Sequence, residues 1–108
     1  MRSFASLRRQ ADFTRLRRQG RRTSTKSLTI YASDPLPADR SALVGITVSK
    51  SIGNAVLRNK LRRRLAAIVH EALAPDATKR LLVVARPSAA HASFHELHAE
   101  VTSALGRV

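Results

Sequence analysis

"VSKSIGNAVLRNKLRRRL", residues Val48 to Leu65, sets a short polar passage with a glycine before a dense run of cations. Five of the seven residues from Arg58 to Arg64 are basic, and no acid follows until Glu71. Asn54 has the chemistry of a helix N-cap. Leu57, Leu61, Leu65, Ile68 and Ala72 recur at helical spacing and form one apolar stripe. The pattern predicts a helix over Ala55 to Ala74, followed by Pro75. At about 100° per residue, Asn59, Lys60, Arg62 and Arg63 point away from the stripe, and Arg58 and Arg64 flank it. The ridge works against its own helix. Arg58/Arg62 and Lys60/Arg64 are like charges at i,i+4, and cations near a helix N-terminus oppose the macrodipole. Each effect costs roughly a few tenths of a kcal/mol, up to about one. Local rules are broken where function asks for it, and phosphates would relieve the repulsion.

The rest of the chain supplies a sheet for the apolar stripe to rest on. Residues 1–6 read as a loose start. Leu7 to Gln19 reads as a short helix, with Phe13 and Leu16 on one side and Gly20 as its stop. "RRTSTKSLTIYAS" reads as two short strands, with Leu28, Ile30 and Ala32 on one face and Thr29 and Tyr31 on the other. "DPLPADR" is a loop. "ALVGITVSK" alternates again, with Val44, Ile46 and Val48 facing one way. "RLLVVAR" fits a buried strand, and Ser93 with Glu96 forms a capping box for a last helix bearing Phe94, Leu97, Val101 and Leu105. The order is α-β-β-β-α-β-α, an α+β single domain over residues 1–108 with a small central sheet packed by helices.

Composition narrows the partner. Twenty Lys and Arg against seven Asp and Glu give +13. The imbalance is concentrated: residues 1–64 carry sixteen basic and three acidic groups, and residues 65–108 carry four of each. Such a field calls for a polyanion, and nucleic acid releases counterions for each phosphate neutralised. Arginine outnumbers lysine sixteen to four, which suits bidentate phosphate contacts. With no cysteine, neither a disulfide frame nor a thiolate metal site can form. No apolar run has the length of a membrane span. The N-terminus has no secretory apolar stretch, so the expected location is cytoplasmic.

The quoted stretch resembles the signature of the bacterial ribonuclease P protein subunit, a Gly-Asn-Ala-Val segment leading into an Arg-Asn-Arg helix rich in Arg and Lys. "ADFTRLRRQG" is similar to that family's first helix, "LTIYAS" to its aromatic-bearing strand, and "LLVVARPSAA" to the strand and loop after the basic helix. The resemblance implies a protein cofactor of a catalytic RNA, which with its Mg²⁺ ions cleaves precursor tRNA to free the mature 5′ end. No cofactor is then expected on the protein alone, no protein partner is required, and no membrane is involved. It also implies a left-handed β-α-β crossover around the basic helix, an exception to the usual hand. Arg58, Asn59, Lys60 and Arg62 match the RNA-contacting signature, with Arg63 as an addition and Lys50 and Asn54 beside it. Phe13 and Tyr31 match aromatics of a cleft that holds the single-stranded 5′ leader, where stacking tolerates any sequence. Phe13 also fits an apolar helix face, so cleft and core both remain open for it. Two positions depart from the pattern: Lys60 stands for an arginine, and Arg17 for a second cleft aromatic.

Other classes fit less well. A self-sufficient nuclease needs a base or metal-binding carboxylates, yet the basic region from Arg40 to Arg64 contains none. His91, His95 and His98 have metal-like spacing, but Ser93 as N-cap leaves His91 outside the helix and nothing clearly completes a set. A free-standing RNA-binding module fits the charge but not the signature. A membrane-surface helix would need the apolar face that the strands already use.

Overall fold

Alternation builds the sheet. The computed structural model describes residues 4–74 and 76–107. In β3 (Leu28–Ser33), Leu28, Ile30 and Ala32 lie in the main core, and Tyr31 turns to the opposite face. In β4 (Ala42–Thr47), Val44 and Ile46 face the main core, joined by Val48 just past the strand. β5 (Arg80–Ala85) is apolar on both faces: Leu81, Val83 and Ala85 point one way, Leu82 and Val84 the other. A central strand covered on both sides requires this. With β1 (Phe4–Ser6) and β2 (Arg21–Ser24), the strands order as β1-β4-β5-β3-β2. β4 is parallel to β1 and β5, while β3 is antiparallel to β5 and β2. β4 and β5 are adjacent and joined through α2 (Ala55–Ala72). Residues of α2 and of α3 (Phe94–Leu105) close the main core on one face of the sheet. α1 (Gln10–Gln19) covers the other face through Leu16, which packs with Leu7 and Leu82.

The fold is the expected α+β arrangement with one strand more. Phe4–Ser6 is not a loose start but a parallel edge strand on Ala42–Val44, with Phe4 buried in the main core. Three residues are too few to show a period. Residues 1–3 lie outside those described. Leu7 is not yet helical: its N–H donates to the Val44 carbonyl at 3.0 Å, extending the edge before α1 begins. α2 stops at Ala72, capped by Leu73, rather than at Ala74; Pro75 lies outside the described residues. Its buried stripe is Leu61, Leu65, Ile68 and Val69. Leu57 is 48% exposed, bordering an open notch with Ile52 and Ala89 rather than lying in the core. In α3 the capping box of Ser93 and Glu96 forms as read. Ala104 joins Leu97 and Val101 in the core, and Phe94 stays exposed.

Two polar ties lock the layers. Arg80 opens β5 and is buried. Its guanidinium donates to both oxygens of Asp39, at 2.8 and 3.0 Å, and to Asp12 of α1 at 2.9 Å. These hydrogen bonds hold the Asp39 carboxyl below the usual carboxylate range, helped by the Leu36 N–H and opposed by burial. The hydrogen bond to Asp39 likewise pushes Arg80 upward. On the other side, Glu100 of α3 accepts from the Thr25 hydroxyl and from the Ser27 N–H, pinning the turn between β2 and β3.

Candidate nucleic-acid interface

Two devices launch α2. Gly53 has φ 155°, and a Cβ there would lie 2.9 Å from Leu57 Cδ1, so only glycine suits the position. Asn54 then caps the helix, its side-chain oxygen accepting from the Leu57 N–H at 3.0 Å. That oxygen is thereby committed to the fold. Lys50 is exposed in a 3-10 turn just before (Lys50–Ile52). Along α2, Asn59, Lys60 and Arg63 are exposed, while Arg58, Arg62 and Arg64 are half-buried. Arg62 donates to the side-chain amide oxygen of Asn59, tying two signature residues together. Arg58 Nε is enclosed and has no hydrogen-bond partner in the protein. None of the five cations from Arg58 to Arg64 pairs with an acid among the described residues. The ridge expected from the sequence therefore exists, with Arg62 turned further toward the sheet than its spacing implied.

The opposite face of the sheet carries the second group. Strand register sets Arg22, Tyr31, Leu82 and Gly45 side by side across four strands. Leu82 is fully buried beneath α1, and Tyr31 and Gly45 flank it, roughly 10 Å apart at two strand spacings. The Phe13 ring lies directly on Gly45, where a Cβ would come within 2.6 Å of it. Phe13 and Tyr31 are both half-buried against the Leu7, Leu16 and Leu82 cluster. Phe13 is thus core and wall at once. Arg17 is exposed one turn further along α1.

The two groups meet at an open edge. β1 pairs with β4 only over residues 42–44. Past the Leu7 bond to Val44, β4 has no strand on that side among the described residues. A cleft of about 260 Å³ opens there, lined by Leu7, Phe13, Gly45, Ile46, Arg62 and Arg63. It brings Phe13 beside two residues of the ridge, while Tyr31, Lys50 and Lys60 stand apart from it. Sequence reasoning missed Gly45, whose role shows only when α1 is laid on the sheet. It also missed Arg22, the direct cross-strand neighbour of Tyr31, because register is not legible in a short strand.

His98 approaches Glu71 at 3.2 Å and lies near the Phe94 ring, 6.3 Å between centroids. Among the described residues no three His, Cys, Asp or Glu side chains gather as a metal site. None of the helices described is long and apolar enough to cross a membrane.

The family model described as Ribonuclease P matches residues 1–108. The chain belongs to that family. It is 43% identical over 103 residues to the ribonuclease P protein component of Acidothermus cellulolyticus, spanning 94% of this chain and 86% of the relative. Against the ribonuclease P protein component of a Nocardioides species it is 38% identical over 105 residues, spanning 94% and 89%. The structure of the Staphylococcus aureus RNase P protein matches with a TM-score of 0.81 at 28% identity, covering 94% of this chain and 92% of that one. As a ribonuclease P protein component, the chain is a subunit of the endoribonuclease of tRNA 5′ maturation and associates with the ribonuclease P RNA.

Proposed function

We propose that α2 is the surface that holds the ribonuclease P RNA, and that the space between α1 and the sheet holds the 5′ leader of precursor tRNA. The observation that carries this is a helix fixed by Leu61, Leu65, Ile68 and Val69 whose five clustered cations have no acidic partner among the described residues. Arg58, Arg62 and Arg63 offer guanidinium forks to phosphate, and Lys60 a point charge. Asn59 orients Arg62. Lys50 and the free amide of Asn54 extend the surface at its start. Phe13 and Tyr31 offer ring surface to leader bases of any sequence, with Arg17 above to stack or to meet a phosphate.

The active centre belongs to the RNA in this reading, with Mg²⁺ bound through it. Six of the chain's seven acids have structural work. Asp12 and Asp39 hold Arg80, Asp34 pairs with Arg21, and Glu71 with His98. Glu96 completes a helix cap and Glu100 pins a turn. Among the described residues, none forms an ion pair with the cations from Arg58 to Arg64. The working assembly is then cytoplasmic and needs no further protein. Reconstitution with the catalytic RNA and a precursor tRNA tests the whole reading. Multiple turnover at low Mg²⁺ should require the protein, and the protein alone should cleave nothing. Cleavage by the protein alone overturns it.

A further inference from the structure

The first turn of α2 exposes apolar side chains that an electrostatic contact does not need. Val56 is 72% exposed and Leu57 48%. Leu57 borders a notch of about 130 Å³ between α2 and the 3-10 turn Pro87–His91, walled by Ile52, Leu57, Leu61 and Ala89, with Lys60 and Arg64 also lining it. The walls are rigid, since Ile52, Leu61 and Ala89 belong to the main core and Gly53 packs against Leu57. At about 30 Å³ per water, the notch has room for one ring, not for a helix or strand. Its occupant must suit apolar walls between two cations. A second copy of this chain does not, because each copy carries +13 and would bring Lys60 and Arg64 against like charge. An unpaired nucleotide does: its base has apolar faces and its phosphates are anionic.

We propose that this notch takes an unpaired base of the ribonuclease P RNA, packed on Leu57 and Ala89, with its flanking phosphates on Lys60 and Arg64. The proposal rests on α2 being the RNA-binding helix. Two measurements test it. The chain has no tryptophan, so Leu57→Trp installs a single reporter on the wall of the notch, at a side chain already 48% exposed. Titration with the ribonuclease P RNA should quench its fluorescence by stacking. Heparin, a polyanion without bases, should bind and leave the signal unchanged. Quenching by both, or by neither, overturns the proposal. Leu57→Ser should weaken RNA binding several-fold with the salt slope unchanged, since apolar contacts release no counterions. Should that variant impair folding by circular dichroism, Leu57→Ala carries the test, with a loss of a few-fold. Wild-type affinity in these variants, with a reduced slope in Arg58→Ala/Arg62→Ala, rejects the notch and leaves α2 as the RNA surface. Wild-type behaviour in all of them rejects α2 itself. A dimer of the free protein that disappears on Leu57→Ser assigns the notch to a second copy and overturns the proposal.

Discussion

Lys60 stands exposed on α2 at a position where the resembling signature has an arginine. An ammonium keeps the charge but not the planar fork. Lys60→Arg should therefore bind the RNA as well as the wild type or better, as read from equilibrium affinity. Markedly weaker binding would show an RNA fitted to an ammonium. Tyr31 gives the complementary test. Its ring is half-buried on the α1 face and serves no part of the main core. Tyr31→Ala should lower holoenzyme affinity for precursor tRNA by about 1–3 kcal/mol, the worth of one stacked base, and leave mature tRNA binding nearly unchanged. Equal losses for both would place Tyr31 outside the leader path. At this scale the sequence was legible where chemistry is local. Asn54 and Ser93 were readable as caps from their own side chains and neighbours. Gly45, Arg22 and Arg80 were not, because each acts on residues distant in sequence.

The basic helix shows how an element reconciles opposing demands. Its apolar side is anchored from Leu61 to Val69, while its first turn carries the cap and exposes Val56 and Leu57. The periodicity correctly located the helix and its core face, but placed Leu57 inside. Helical spacing defines an angle around the axis and says nothing of where the core ends. Phe94 was misplaced for the same reason at the start of α3. The first strand escaped notice because three paired residues carry no pattern apart from their partner. Since Arg58 and Arg62 lie outside the buried stripe, Arg58→Ala with Arg62→Ala should leave the circular dichroism spectrum intact. It should reduce the dependence of RNA affinity on salt by about one unit of log slope for each phosphate no longer neutralised. An unchanged slope removes α2 from the interface.

Across the whole molecule, Arg80 joins α1, β5 and the loop before β4 at one buried point. Asp39→Asn should cost roughly 3 kcal/mol, the order found when one partner of a buried pair is removed, and lower the melting temperature by more than about 10 °C for a domain of this size. Because the Asp39 carboxyl is held below its usual range, its contribution is complete above about pH 4 and is lost as pH falls through the lowered value. Melting curves of wild type and Asp39→Asn should separate at neutral pH and converge in acid. Parallel curves would deny the ion pair its role. The open edge of β4 has a further consequence, in colloidal behaviour. An unpaired strand edge invites the same edge of another molecule, and charged side chains commonly guard it. Here Arg62 and Arg63 overhang Gly45 and Ile46, so the cations read as RNA ligands also act as sentries against strand-to-strand association in the free protein. Arg62→Ala with Arg63→Ala should self-associate at concentrations where the wild type remains monodisperse by light scattering. A variant that stays monomeric would show that Phe13 and the short β1 protect the edge by themselves.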